Sequence, residues 1–480
     1  MNVKFKKNAS CVLIMVTTKN QNKTQRSNLM EKIIAQIAEN FIKKILENIS
    51  SGKKLEEIEP VLLKNCKETA VKIVEEYIAV LDKEILSDKE LRKKCGYSVE
   101  RKNDRRKIYT SIGEINYCRA YYKKASGGYE YLTDKLLGVE ARERVSMPIK
   151  RELVNQAKEV SYGKSSRNVT TGEISRQTVM LSIRQSNQKP KPSEPPKPVS
   201  SLHIDADEAH ITMIGGKKAI VPLISVYEGG ERENKRGKCK NIFHISEYGL
   251  SADELWEKAS EEIYSKYDLS RAKIYLHGDG GAWIQRGIES FRDTQFVLDQ
   301  YHKNKALMSM LAGTTSIDRE NFDRELRWAL NHNEKELFEQ LTACLCDLMP
   351  ERKEEILKNG RYLAKYIEEI AIRKTDIEAN NGGCTEPHIS HILASRLSTR
   401  PMAWSSETLV HLAPILAGND FNIEKEIKRE EIPLPLKTAE VRARRKAQRG
   451  SAGLPNPDSI GRLGINGKIT GTQKILKLYC

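Results

Sequence analysis

Five prolines fall within the eleven residues Gln-Lys-Pro-Lys-Pro-Ser-Glu-Pro-Pro-Lys-Pro from Gln188 to Pro198, and no apolar packing residue lies among them. Each proline fixes its own φ and removes a backbone donor, so neither a helix nor a sheet interior absorbs such a run. An extended, semi-rigid linker is expected over 188–199. The flanking sequences must then build separate cores, in keeping with the two to four domains expected of 480 residues.

Before the linker four stretches of different pattern follow one another. Residues 1–29 carry Lys4, Lys6, Lys7, Lys19, Lys23 and Arg26 and no acid, and show no sustained periodicity. They are expected to be a flexible basic leader, or an upstream start preceding a natural one at Met30. Residues 30–95 read as helical: Ile33, Ile34, Ile37, Phe41, Ile45, Leu46 and Ile49 recur at three- and four-residue steps, and a second helix spans about Leu55 to Leu86. Residues 96–149 read as a small antiparallel meander of Lys107–Ile112, Glu114–Tyr122 and Tyr129–Leu132, broken by Gly113 and Gly127-Gly128. Residues 150–187 hold two short helices, a glycine-containing turn and a further helix after Ser175. That last helix bears Arg176, Gln177, Thr178 and Arg184, so the region resembles a DNA-binding helix-turn-helix, the alternative being a plain helical hairpin.

Charge points to the kind of partner. Lys and Arg number 81 against 65 acids, a net +16, which favours a polyanion and nucleic acid ahead of a membrane surface. Hydrophobic residues at 39% and charged residues at 30% fit a soluble globular protein and exclude a disordered one. No run approaches the ~18 apolar residues of a membrane span. The apolar run Cys11–Val16 is shorter than a secretory signal core, so an intracellular location is expected. The nine cysteines are scattered with no Cys-x-x-Cys pair, which predicts reduced thiols rather than a disulfide framework or a zinc ribbon.

After the linker, strands are expected at Ser201–Met213, Ala219–Tyr227 and Asn241–Ser246, then a helix Ala252–Lys266. A strand Lys273–Asp279 ends on an acid and two glycines, a helix with Trp283, Ile284 and Ile288 follows, and Gln295–Leu298 is a fifth strand. Three strands, a helix, a strand, a helix and a strand is the order of an RNase H-like α/β fold, with a mixed five-stranded sheet. In that fold one carboxylate sits on the central first strand, another at the end of the adjacent fourth strand, and a third on a later helix. Three carboxylates on rigid elements hold two divalent cations roughly 4 Å apart for phosphodiester chemistry. Magnesium suits such an all-oxygen site, with manganese as a substitute.

Three blocks carry a resemblance: His277-Gly-Asp-Gly-Gly-Ala-Trp-Ile284, Leu298-Asp-Gln-Tyr-His302, and Cys384-Thr-Glu-Pro-His-Ile-Ser-His-Ile-Leu-Ala-Ser-Arg-Leu-Ser-Thr-Arg-Pro-Met-Ala-Trp404. From about Met30 to the C-terminus the chain resembles the ISLre-type bacterial insertion-sequence transposases, a Mutator-like branch of the DDE transposases. The resemblance implies Asp207, Asp279 and Glu386 as the catalytic, metal-binding acids. Asp205 lies on the same strand face and stays open as the first acid. Asp299 and His302 correspond to the Asp-x-x-His pair that follows the second acid, and Lys303 and Lys305 add positive charge beside them. His388 and His391 are expected on a helix face rather than at a metal. Residues 317–377 look like the all-helical insertion placed before the third acid, the alternative being a long helical lid belonging to the core, and Trp328 is expected buried in its core, the alternative being a contact to the DNA end.

The core is thus expected over 200–316 and 378–432, and a basic tail over 433–480 includes Val441–Arg449, with five basic residues in nine. The implied activity is metal-dependent cleavage at terminal inverted repeats and strand transfer into double-stranded target DNA. A homo-oligomer on the DNA, in the cytoplasm at the nucleoid and away from membranes, would carry it out. The alternatives are a catalytically silent, transposase-derived DNA-binding regulator and a plain RNase H-like nuclease.

Overall fold

The computed structural model describes residues 20–49, 54–170, 172–188, 195–233, 236–383, 385–399, 402–418 and 420–423. Most of the basic leader, most of the proline run, Cys384, Arg400, Pro401 and the whole basic tail lie outside the described residues. The chain divides into two compact units, Met1–Ala157 with Tyr162–Ser175, and Lys158–Ser161 with Arg176–Cys480.

The first unit opens with two long helices, α1 (Asn20–Ile49) and α2 (Leu55–Ser87). A hairpin follows, β1 (Tyr97–Thr110) and β2 (Gly113–Lys124), with a short edge strand β3 (Tyr129–Glu130). The end of α2 buries Ile78, Leu81 and Ile85 against Tyr97, Ile108, Ile115, Tyr117, Tyr122 and Leu132. Asp82, buried in that seam, accepts a hydrogen bond from the Ala120 amide at 3.0 Å, which fixes helix to sheet. Strand β1 starts ten residues before the expected Lys107. Six of its first ten residues are charged, and after Val99 it carries no apolar alternation to read before Ile108. Helices α3 (Met147–Glu159) and α4 (Tyr162–Thr170) follow, and α5 (Arg176–Arg184) comes next in the chain. The division between units falls between α4 and α5, so the three helices read as one helix-turn-helix-like region are shared between the two units.

The second unit is built on a five-stranded sheet of β4 (Ser201–Thr212), β5 (Lys218–Tyr227), β6 (Phe243–Ile245), β7 (Lys273–Gly278) and β8 (Thr294–Leu298). The spatial order is β6-β5-β4-β7-β8; β4, β7 and β8 run parallel, and β5 is antiparallel to both its neighbours. Helix α6 (Ala252–Lys266) is fixed at its start by a capping box, in which the Glu254 amide donates to Ser251 Oγ and the Ser251 amide to Glu254 Oε2. Its Leu255, Trp256 and Ile263 cover the face carrying Leu202, Ile204, Ile224, Val226, Ile274 and Leu276. The short helix α7 (Ala282–Arg286) and α8 (Gln300–Met310) flank the last strand.

Four helices follow: α9 (Ser316–Asn331), α10 (Lys335–Leu348), α11 (Lys353–Lys365) and α12 (Ile367–Thr375). Their buried Leu326, Leu330, Phe338, Leu345, Ile356, Leu363 and Ile370 belong to the same apolar cluster as the sheet. The helical segment therefore shares its core with the sheet. Trp328 corrects an expectation: it is 47% exposed and stacks on His332, ring centres 4.5 Å apart. Helix α9 buries the stripe Leu326, Ala329 and Leu330, and a residue two positions from Leu326 is turned some 200° away from it. The described fold closes with α13 (Thr385–Ile389), α14 (Ser406–Ala417) and a short strand, Phe421–Ile423, antiparallel to Ser186–Gln188. No helix among the described residues is long and apolar enough to cross a membrane.

Candidate functional site

Two-residue alternation sorts the sheet into an apolar face and a polar one. On β4 the polar face carries His203, Asp205 and Asp207; on β7 it carries Tyr275 and His277, and Asp279 follows the strand. The parallel register pairs His277 with Asp205, so two residues further along come Asp207, midway along β4, and Asp279, just past the carboxyl end of β7. Strand β8 pairs Leu298 with Gly278, and the Asp299 amide donates to the Gly278 carbonyl at 2.9 Å, which brings Asp299 alongside.

Burial pushes the Asp207 carboxyl up to about 6, and the negative charges of Asp279 and Glu386 push in the same direction. The Glu208 amide, which donates to Asp207 Oδ1 at 2.7 Å, and the charge of His302 oppose the rise. Asp207, Asp279, Glu386 and His302 thus share one electrostatic field. Asp205 is committed elsewhere. It is fully buried, and its Oδ1 accepts hydrogen bonds from the Tyr227 hydroxyl at 2.9 Å and the Gly383 amide at 3.2 Å.

Asp279 sits in a turn held from two sides. Its Oδ1 accepts from the Gly281 amide at 2.8 Å. From α11, the Tyr362 hydroxyl donates to the Asp279 carbonyl and, just beyond α11, the Tyr366 hydroxyl donates to the Gly280 carbonyl, both at 2.9 Å. Gly280 has φ +86°, and a Cβ there would lie 2.4 Å from the Tyr366 ring, so only glycine fits.

Asp299 caps α8, accepting from the His302 amide at 3.2 Å, and the same Oδ2 lies 3.2 Å from His302 Nδ1. This contact raises the His302 imidazole above its ordinary value against the effect of burial, helped by the charges of Asp207 and Asp279. Burial alone would raise the Asp299 carboxyl, but hydrogen bonds from His302 and Thr385 outweigh it and hold the group below its usual range. Thr385 Oγ1 donates to Asp299 Oδ1 at 3.1 Å, fixing the start of α13, where Glu386 stands exposed in the first turn.

Beneath this edge lies a buried polar layer that sequence reasoning missed. Arg373 Nη2 lies 3.3 Å from His277 Nδ1, and a guanidinium only donates, so that nitrogen accepts and His277 carries its proton on Nε2. Nε2 faces His203 Nδ1 at 3.2 Å, which in turn leaves the His203 proton on Nε2, 3.5 Å from Glu378 Oε1. Both imidazoles are driven toward the neutral form by burial, His277 the more strongly, with Arg373 and His203 adding to its shift. Gly382 rests on the pair, and a Cβ there would lie 2.2 Å from His277 Nε2 and 2.6 Å from His203 Nδ1. The segment leading to Glu386 is thereby seated on the sheet. The available signal was polar alternation, His-x-Asp-x-Asp and Tyr-x-His-x-Asp, inside otherwise apolar strands.

Other expected residues fall as follows. Arg176 and Gln177 are exposed on α5. Arg184 is engaged within the second unit, pairing with Glu407 at 2.6 Å and donating to Ser405 and Thr408. Lys303 is buried, and burial together with Arg327 and Arg373 pushes its amine down to about 8. Lys305 is exposed beside the Tyr301 ring. His391 is exposed, whereas His388 is half-buried, its Nδ1 3.6 Å from Asp205 Oδ2. In the third block, the buried Arg396 lies over the Trp404 ring, a packing role.

Asp207, Asp279 and Glu386 form an all-oxygen donor set whose mutual repulsion a hard divalent cation would relieve. Among the described residues, no three His, Cys, Asp or Glu side chains converge as a ready-made metal cage.

The signature of the Uncharacterised protein family UPF0236 matches residues 48–429. One UPF0236 protein of Caldanaerobacter subterraneus subsp. tengcongensis is 33% identical over 401 residues, covering 81% of this chain and 84% of the relative. A second from that organism is 33% identical over 405 residues, with the same coverage. A UPF0236 protein in the vanSb 3′ region of Streptococcus gallolyticus is 22% identical over 415 residues, covering 82% of this chain and 89% of the relative. The chain belongs to the UPF0236 family.

Proposed function

We propose that this UPF0236 chain is a DNA transposase that cleaves the ends of an insertion sequence and joins them to target DNA. The reading is carried by the shared field of Asp207, Asp279 and Glu386 at one edge of the sheet. The strand order, 3-2-1-4-5 counted along this unit, supports an RNase H-like core, in which carboxylates at these places serve phosphoryl transfer. Magnesium ions held there, or manganese in their place, would supply Lewis-acid stabilisation of the attacking and leaving oxygens.

The chain's own residues divide the remaining work. Asp207, midway along β4, Asp279, just past the end of the adjacent β7, and Glu386, on the helix seated by Gly383 and Thr385, hold the charge that the phosphodiester must be brought against. His302, its imidazole raised and oriented by Asp299, donates to a non-bridging oxygen of the scissile phosphate. A water oxygen attacks phosphorus, the P–O3′ bond at the element's end breaks, and the departing oxygen leaves as a 3′-hydroxyl. That hydroxyl then attacks a phosphorus of the target strand in the same site: a new P–O bond joins element to target, the target's own P–O3′ bond breaks, and its departing oxygen takes up a proton, matching the one lost by the attacking hydroxyl, to leave as a 3′-hydroxyl. Synapsis of two ends requires a homo-oligomer on double-stranded DNA, in the cytoplasm at the nucleoid.

The test is incubation of the protein with labelled duplex carrying the flanking inverted repeat, target plasmid, and Mg²⁺, Mn²⁺ or EDTA. Metal-dependent cleavage and strand transfer specific to the repeat are expected. Binding without cleavage would point to a regulator, nicking indifferent to the repeat to a nuclease, and either result overturns the transposase reading.

A further inference from the structure

Much of the positive charge assigned from sequence to DNA contact is already engaged or hidden: Arg184 is paired with Glu407, and Lys303 is buried. A denser concentration lies in the first unit. From Arg92 to Lys124 there are eleven Lys and Arg residues against three acids, Glu100, Asp104 and Glu114. Two of the acids are occupied locally, Asp104 by Arg101 at 2.9 Å and by the Tyr131 hydroxyl, Glu114 by Lys107. Arg92 and Arg119 are buried, and Arg106 is turned into the unit to the carbonyls of Glu140 and Glu143. Lys93, Lys94, Lys102, Arg105 and Lys123 remain exposed, and among the described residues none of the five makes an ion pair.

The shape that carries these cations is a two-stranded antiparallel ribbon, 14 residues of β1 against 12 of β2. Pairing is irregular between Val99 and Arg101 and again between Arg101 and Asp104, where Asn103 takes a left-handed φ of 64°. A regular strand alternates exposure, but here Arg101, Lys102 and Asn103 are exposed in succession. The bulge thus presents consecutive polar side chains where a flat strand would present every second one. Opposite Arg101, Tyr121 stacks on Tyr129, ring centres 5.2 Å apart, and lies 4.6 Å from Tyr131; the Arg101 guanidinium sits 4.7 Å above Tyr121.

We propose that the β1–β2 ribbon is the duplex-DNA contact surface of this protein, with Lys102, Arg105 and Lys123 on phosphates and the Arg101–Asn103 bulge toward a groove. A two-stranded β-ribbon has the width the major groove of B-DNA admits, and exposed cations outside any ion pair match a polyanion better than an acidic protein face, which would offer no groove for the bulge. The proposal rests on the DNA-directed function above, but on a different unit from the carboxylates.

The experiment uses the full chain in EDTA, so that no chemistry occurs, and reads fluorescence anisotropy on an element-end duplex and a scrambled duplex across a salt series. The test variant is Lys102→Ala/Arg105→Ala/Lys123→Ala. The control removes three exposed cations from the second unit, Lys217→Ala/Arg271→Ala/Lys335→Ala. The test variant should bind both duplexes on the order of 10²-fold more weakly at 0.1 M salt, and its log–log salt slope should fall by about 2 to 3. The control should bind within about twofold of wild type, and circular dichroism and melting should show both variants folded. Wild-type affinity and slope in the ribbon variant, equal losses in the control, or no DNA binding by the wild type would each overturn the proposal. The ribbon and the transposase reading fail separately. Wild-type binding without metal-dependent cleavage sinks the enzyme reading alone, and wild-type cleavage with unimpaired binding by the ribbon variant sinks the ribbon alone.

Discussion

At the scale of single residues, the carboxyl of Asp207 links stability to pH. Its folded value of about 6 lies above the ordinary carboxylate value near 4, so the folded state binds the proton more tightly than the unfolded chain. The contribution is fully present below about pH 4, lost as pH rises toward 6, and absent above it, a swing on the order of 2 to 3 kcal/mol. Asp207→Asn should therefore raise the melting temperature of the metal-free protein by a few degrees at pH 7.5, leave it unchanged at pH 4, and abolish cleavage. An unchanged melt at pH 7.5 would remove the repulsion inferred among the three acids. Asp205→Asn should behave oppositely, since its oxygen anchors Tyr227 and Gly383. Stability should fall by roughly 1 to 3 kcal/mol in denaturant titration while cleavage survives. For His302→Ala, single-turnover cleavage should slow by roughly 10²-fold with no change in the Mg²⁺ concentration for half-maximal rate. A shifted metal requirement would instead assign the imidazole to the ion.

At the scale of elements, the segment from Arg373 to Gly383 is a strap laid over the polar face of the sheet. Arg373 and Glu378 meet the two histidines, and Asp376 accepts from Lys273 and Tyr275 at 2.7 Å each. His277→Ala would leave Arg373 and His203 without their buried partner and Gly382 without its seat. A loss of roughly 2 to 4 kcal/mol is expected, together with a weaker Mn²⁺ affinity by calorimetry, because Glu386 hangs from the strap's end. Proton-bearing nitrogens can be read by ¹⁵N NMR, and both imidazoles should be neutral with the proton on Nε2; an Nδ1-protonated His277 would contradict the relay. The strands beneath were legible, since apolar residues alternate along them, and so was the turn at Asp279. The strap was not. Its partners lie 96 to 178 residues away, as in Arg373 with His277 and Gly383 with Asp205, and no local period encodes such pairings. The charged half of β1 was equally silent, because its pattern serves the solvent face and a bulge.

For the whole molecule, what a helix belongs to depends on which core captures its apolar stripe. Spacing announces α5 but not its allegiance, and Arg184, read as a DNA contact, ties it within the second unit. The helices α9 to α12 are expected from sequence as an all-helical insertion, with a lid belonging to the core as the alternative, and they share one apolar cluster with the sheet. Their removal should then unfold the unit rather than trim it. In calorimetry the helical segment should show no transition separate from the sheet, and limited proteolysis should not release 317–377 intact before the sheet is cut. A separate early transition would restore the picture of an appended module.

Tyr362 and Tyr366 stand four positions apart and grip successive carbonyls of the turn that carries Asp279. Spacing of four brings both hydroxyls to one side of the helical path, because each residue advances it by about 100°. The chain between the second and third acids can therefore drift in sequence, and even in length at the outer loops, without disturbing the turn. Its rotational phase at α11 cannot drift. One residue inserted between Lys353 and Tyr362 would swing both phenols away together, so relatives that lengthen this helix should do so by whole turns or not at all.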